Sequence, residues 1–299
     1  MNSKPLTRYA WLSIAAAVAT ILLKGAAWWL TDSVGLLSDA LESFVNLAGA
    51  VMALWMLGLA ALPPDENHAY GHTKAEYFAS GFEGLLILAA AGGIGVTAIL
   101  RLLHPQPLEQ VSLGLGISLL ASLVNFFTAQ VLLRAGKSRG SIALEADGRH
   151  LMTDVWTSVG VIAGVGAVAL TGWLWLDPLL ALVVAVHILA TGWELVHRSA
   201  SGLMDEALPP ARQAAVDALL DHYRQRGIGF HAVRSRQAGT RAFVTLHVLV
   251  PGVWTVQKAH ALAEEVEAGI REAVPGANVM THLEPLEDPL SHADIDLDR

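Results

Sequence analysis

Two short stretches of this sequence carry acids and amides at one shared spacing: Asp39, Glu42 and Asn46 in the first, Asp147, His150 and Asp154 in the second. Steps of three and then four residues place side chains on one face of an α-helix. Both stretches lie in or at the edge of long apolar runs. A carboxylate at the middle of a bilayer costs about 2.5–3.5 kcal/mol on insertion scales, so a helix carrying several needs a cation, a proton or a partner opposite. Facing each other, the two stripes supply that compensation. Glu42, Asn46, His150 and Asp154 together offer one imidazole nitrogen and three oxygen donors, a set that can close tetrahedrally on one divalent ion. Asp39 and Asp147 lie nearer the helix ends, where they fit equally as ligands and as caps or solvated residues. Other polar residues in the apolar runs carry less weight: Lys24 can snorkel, Glu83 is placed near an interface, and His187 suits a hydrogen-bonded helix contact.

The elements that must hold these side chains follow from composition. Hydrophobic residues make up 54% of the chain and charged residues 15%, against roughly 25% charged in a soluble domain. Six apolar segments can be cut out, at about 11–30, 34–62, 77–103, 114–136, 150–176 and 178–197, each long enough to cross a bilayer. No small-residue cleavage site follows the first, so it is expected to remain as a span. If the spans alternate, Lys4, Arg8, Lys74, Arg134, Lys137, Arg139, Arg149 and Arg198 share one side and Arg101 falls near the other. The positive-inside rule then puts both termini in the cytoplasm, in a bacterial-type inner membrane. There is no cysteine, which excludes disulfides and thiolate metal sites and leaves histidine as the soft ligand.

After Asp205 the pattern changes to that of a small soluble unit. Pro209-Pro210 opens a helix that stops at Gly227, residues 229–237 and 241–251 read as strands joined at Ala238-Gly239, and helical spacing from Val256 to Ile270 precedes a last alternating strand around 279–284. The expected order is αββαβ, giving a membrane domain over 1–204, a cytoplasmic α+β domain over 205–287 and a disordered acidic tail over 288–299. From Asp205 onward nine basic residues stand against fourteen acidic ones, a balance that attracts cations and repels nucleic acid. His231, His247, His282 and Glu284 come from three strands, the last two on one face because they are two apart. Asp65, His68 and His72 have ligand-like spacing on a proline-started loop between the second and third spans, where solvated side chains are also common.

The residues Ser33–Leu47 (SVGLLSDALESFVNL), Pro63–Glu76 (PPDENHAYGHTKAE), Ala146–Asp154 (ADGRHLMTD), Leu203–Pro209 (LMDEALP) and His282–Pro285 (HLEP) together resemble the cation diffusion facilitator family. The resemblance runs through nearly the whole chain. It implies a homodimeric, proton-coupled antiporter with six transmembrane helices and a cytoplasmic domain of metallochaperone-like fold, whose transport site is Glu42, Asn46, His150 and Asp154. It also implies metal binding by Asp65, His68 and His72, zinc binding by His231, His247, His260, His282 and Glu284, and a charge pair of Lys74 and Asp205 that holds the dimer together near the membrane. Family members commonly carry His or Asp and then Asp where this chain has Glu42 and Asn46. Relative to a His-Asp pair the exchange keeps the charge and removes one nitrogen donor, which weakens the preference for zinc over Mn(II) or Fe(II).

The expected function is efflux of a divalent metal, zinc, iron or manganese, with these ions as substrate and as structural or regulatory ligands and with no catalytic cofactor. The alternative is a membrane metal sensor or delivery protein that binds without transporting, which the cytoplasmic sites suit and the acidic stripes within the spans do not. An intramembrane metalloenzyme, with His150 as ligand and Glu42 as base, would lack a His-Glu-x-x-His helix or a nucleophile motif, so no enzyme is expected. A passive channel is disfavoured because a tight four-ligand site slows release.

Overall fold

The structure is a computed structural model that describes residues 6–31, 34–104 and 112–293, without the side chains of Asp39 and Glu42 and of some other helical positions. The chain divides into two compact units, Met1–Ala200 and Ser201–Arg299, a little before the boundary expected at 204.

The first unit is built of long helices: α1 (Thr7–Thr31), α2 (Val34–Ala60), α3 (Ala75–Leu103), α4 (Ser112–Arg139), α5 (Ile142–Thr171) and α6 (Leu176–Leu203), whose last turn passes into the second unit. Segments of α1, α2, α3, α4 and α6 are long and apolar enough to cross a membrane. The 30-residue α5 completes the six, and Glu145, Asp147, Arg149 and Asp154 in its first half lower its apolarity. Trp11, Leu22, Trp55, Phe127, Leu170 and Val183 lie exposed on the helices, as side chains facing lipid do. Their energetic partner is hydrocarbon, so helix association here depends on close packing and on buried polar contacts.

The α4/α5 hairpin shows both. At Gly148 a Cβ would lie 2.9 Å from Leu133 Cγ and 3.2 Å from Leu132 Cβ, so the α5 backbone sits directly on α4. The apolar pattern opens the fifth span near 150, whereas α5 begins at Ile142. The cause is a polar cap that hydropathy does not register. Ser141 Oγ accepts the backbone N–H of Leu144 and donates to Glu76 of α3. The buried Glu76 side chain, bonded to Ser141, thus lies beside the start of α5, placing an acid where the helix N-terminus is most positive.

The second unit contains α7 (Pro210–Arg224), β1 (Gly229–Ala238), β2 (Arg241–Val250), α8 (Val256–Ala273) and β3 (Ala277–Pro285), in the expected order. The sheet runs β1-β2-β3, with β1 antiparallel and β3 parallel to β2. Alternate residues of β2, Val244, Leu246, Val248 and Val250, are buried in one core with Val216 and Leu220 of α7 and Leu262, Val266 and Ile270 of α8. His247 therefore points to the sheet face away from that core. Part of the expected disordered tail is a 3-10 turn at Pro289–His292, where the buried Ser291 donates to Pro285 O at 2.8 Å. Residues 294–299 lie outside the described residues.

Replacing Gly148 by leucine should cost about 1–3 kcal/mol by overpacking the α4/α5 contact. The expected result is a lower thermal midpoint for the purified protein in detergent, and an unchanged midpoint would show that the two helices can part there.

Candidate metal centres

The three-then-four stripe of α5 lies inside the bundle: Asp147, His150 and Asp154 are 2%, 5% and 8% exposed. Each is met by side chains from other helices. Ser13 of α1 donates to Asp147 Oδ1 at 2.9 Å. Glu83 Oε2 of α3 bonds His150 Nδ1. Asp154 Oδ2 accepts from Asn46 of α2 and, at 2.9 Å, from Asn125 of α4. Thus α1, α2, α3 and α4 each contribute one polar group to a single face of α5.

The partners are unequal electrically. Ser13, Asn46 and Asn125 donate hydrogen bonds but bring no charge, while Glu83 adds a third carboxylate to Asp147 and Asp154. One imidazole faces three buried acids. Asn46 Oδ1, Asn125 Oδ1, Glu83 Oε1 and Asp147 Oδ2 are buried and have no hydrogen-bond partner among the described residues. Buried acceptors without donors are costly, and a bound cation is one way to satisfy them.

Of the expected transport set, Asn46, His150 and Asp154 fall in this cluster, with Asp147 one turn before His150. Asp39 and Glu42 lie outside the described side chains, so α2 is represented by Asn46 alone. Sequence reasoning gives Glu83 little weight, as a residue near an interface; in the structure it is 1% exposed and bonded to His150. Asn125 was not singled out. A signal for Glu83 existed, because a carboxylate in the span Ala75–Leu103 is a functional-site hypothesis by default.

Two further groups have the geometry of a metal site. Asp65, His68 and His72 present ligand atoms within 4.8 Å of one another, with Asp65 Oδ2 at 3.2 Å from His72 Nε2 and Oδ1 at 3.4 Å from His68 Nδ1. The loop is pre-shaped by Asp65, whose Oδ1 accepts the backbone N–H groups of His68 and Asn67. Those bonds, the His68 N–H foremost, hold the Asp65 carboxyl below its usual range, so it remains an anion available to a cation.

On the sheet, register makes the second group. His231 of β1 is paired with His247 of β2, and His247 with His282 of β3, so three imidazoles form a row across three strands. Glu284 lies two residues beyond His282, with Oε2 at 2.7 Å from His231 Nε2 and Oε1 at 3.2 Å from His247 Nδ1. His231, His247 and Glu284 form the compact set. His282 is more open and 3.5 Å from Glu284. An irregularity follows His231 in β1, where Ala232 has φ 47°, and such bulges re-aim neighbouring side chains. His260 is exposed on α8 and is not in the set. Asp205, itself in the left-handed region at φ 62°, accepts from Arg236 at 2.8 Å within the second unit, while Lys74 stands just before α3 in the first.

Residues 10–204 match the cation efflux transmembrane domain and residues 208–286 the cytoplasmic domain of the cation efflux protein. The chain belongs to the cation efflux family. A relative from Synechocystis sp., described as the uncharacterized transporter sll1263, is 53% identical over 291 residues, covering 97% of this chain and 94% of the relative. The cation-efflux pump FieF of Yersinia pestis is 32% identical, covering 91% of this chain and 90% of that protein, and FieF of Salmonella arizonae is 29% identical, covering 94% and 93%. The cation efflux family is one of membrane transporters and not an enzyme class, and its two-part architecture matches the helical and α+β units described above.

If the loop and sheet groups hold separate ions, purified protein stripped with chelator should lose one class of tight zinc equivalents on Asp65→Ala and a different class on His247→Ala. Equilibrium titration reads this, and wild-type stoichiometry in both variants would show that neither group binds metal.

Proposed function

We propose that this cation efflux protein expels a divalent transition-metal cation from the cytoplasm in exchange for protons. It works as a homodimer in a bacterial inner membrane with both termini cytoplasmic. The observation that supports this most directly is the cluster at the α5 stripe: Asp147, Asp154 and His150 of α5 meet Glu83 of α3 inside a helical bundle, three buried carboxylates and one imidazole, with acceptor oxygens left over. Such a cluster is attractive to a small hard or borderline cation and unattractive to an organic substrate. The proposed ligands are Glu42, Asn46, His150 and Asp154. Proton exchange, the dimer and the orientation rest on the family resemblance, on the cytoplasmic domain's match and on the distribution of lysine and arginine.

The proposed cargo is zinc, iron or manganese. With one imidazole among oxygen donors, the site has less of the nitrogen character that distinguishes zinc from manganese or iron. The loop and sheet groups serve as regulatory or structural metal sites, where bound cations offset the repulsion between two acidic domains. Lys74 and Asp205 are assigned to the dimer contact. A surface pair of this kind contributes only about 0–1 kcal/mol unless partly buried.

Metal-dependent proton flux in proteoliposomes, with Zn, Fe, Mn, Co and Cd compared side by side, tests the reading. Asp154→Ala should abolish flux in a folded protein, because the site loses a charged ligand and His150 alone holds the cation poorly. Wild-type flux in that variant would remove Asp154 from the site, and binding without flux in the native protein would favour a sensor.

Selectivity has its own test. Changing Glu42 to His and Asn46 to Asp together restores a second imidazole at unchanged net charge and should raise the zinc-to-manganese uptake ratio. Competitive uptake into vesicles measures it, and an unchanged ratio in an active double variant would show that these two side chains do not set the preference.

A further inference from the structure

The transport histidine has two ring nitrogens, and in the structure one is taken. His150 Nδ1 is bonded to Glu83 Oε2, both residues being buried at 5% and 1% exposure. A carboxylate on one nitrogen of a metal-binding imidazole fixes the tautomer with the proton on that nitrogen, aims the ring and leaves the other nitrogen's lone pair for the metal.

The surroundings hold Glu83 in this position. Its carboxylate lies against the bare backbone of α2 at Gly49, where a Cβ would collide with Oε1 and sit 2.8 Å from Cδ. On the next residue, Gly84, a Cβ would lie 2.8 Å from Val196 Cγ2 and 3.2 Å from Gly192 O. At Gly81 it would lie 2.9 Å from Ser199 Oγ. So α3 is seated closely against α6 through glycines, while Glu83 reaches past Gly49 to α5. Gly49 is three residues from Asn46 and His150 four from Asp154, so the acid meets α2 and α5 about one helical turn from the direct contact of Asn46 with Asp154.

We propose that Glu83 is the positioning residue of the transport site: it orients His150 so that Nε2 meets the cation, and Gly49 provides the space that this requires. The inference deepens the transport reading above and rests on it.

The test is zinc uptake into proteoliposomes as a function of zinc concentration. Removing a partner of this kind typically costs about 10–100-fold, so Glu83→Ala should raise the half-saturating concentration by that factor while the maximal rate stays within about threefold. Glu83→Gln keeps a side-chain oxygen that accepts from Nδ1–H and should recover most of the loss. Gly49→Ala leaves the acid in the sequence but displaces it, and should resemble Glu83→Ala. Elution and thermal midpoint check folding, and the near-isosteric Glu83→Gln together with the single added methyl of Gly49→Ala carry the test if Glu83→Ala does not fold.

Wild-type half-saturation in folded Glu83→Ala or Gly49→Ala overturns the proposal. Equal impairment of Glu83→Gln and Glu83→Ala overturns it as well, because the acid would then act by its charge on the cation and not by aiming His150. A native protein that binds zinc without moving it overturns the transport reading alone. The same variants are then compared by zinc binding, in protein also carrying Asp65→Ala and His247→Ala to silence the other two metal groups, with the same expected and overturning shifts.

Discussion

Everything in the membrane unit is arranged around the cost of keeping charge in an apolar bundle. Helix α5 carries Asp147, His150 and Asp154 on one buried face, and each would be expensive if left facing hydrocarbon. The chain meets that cost by packing. Ser13, Asn46, Glu83 and Asn125 converge on α5 from α1, α2, α3 and α4, so the helix order around α5 and the solvation of its stripe are one property. Glycine contacts serve the same end, because a polar side chain of fixed length reaches its partner only if the backbones approach closely. At Gly148 and Gly49 the neighbouring side chain occupies the place a Cβ would take.

The sheet solves a related problem by register. A strand alternates its faces, so β2 buries Val244, Leu246 and Val248 and necessarily presents His247 on the other side. Pairing then brings His231 and His282 beside it. The residues that build the core and those that gather the imidazoles are thus the odd and even positions of the same strands. A slip of one residue would exchange the two sets.

This explains which parts could be read in advance. The α5 stripe and the β2 alternation are periodic, and periodicity is visible in a single chain. The six helices follow from the length of the apolar segments, and the αββαβ order from alternation, helical spacing and turn residues. Glu83 and Asn125 are single residues in apolar helices, and no periodicity indicates which neighbour a lone polar residue meets. Helix α5 runs beyond its apolar segment for another reason: Ser141 caps it and is held by Glu76 through hydrogen bonds, whereas hydropathy counts both residues as interruptions. Similarly, strand spacing places His282 and Glu284 on one face, but the three-strand row needs the parallel register of β2 and β3, which is a tertiary fact.

The pairing of charges with amides has a consequence for a cycle of binding and release. A carboxylate that is solvated only by cations becomes costly when the cation leaves. Asp154 instead accepts from the amide nitrogens of Asn46 and Asn125, so it is solvated without being neutralised and keeps its attraction for a cation. An amide carries an oxygen as well as a nitrogen. While the nitrogens donate to Asp154, the Oδ1 atoms of Asn46 and Asn125 stay buried without a hydrogen-bond donor among the described residues. A second-span carboxylate in place of Asn46 would add charge but could not donate unless protonated. Asparagine at this position therefore lowers the cost of the cation-free state, since it solvates Asp154 without adding a further buried charge.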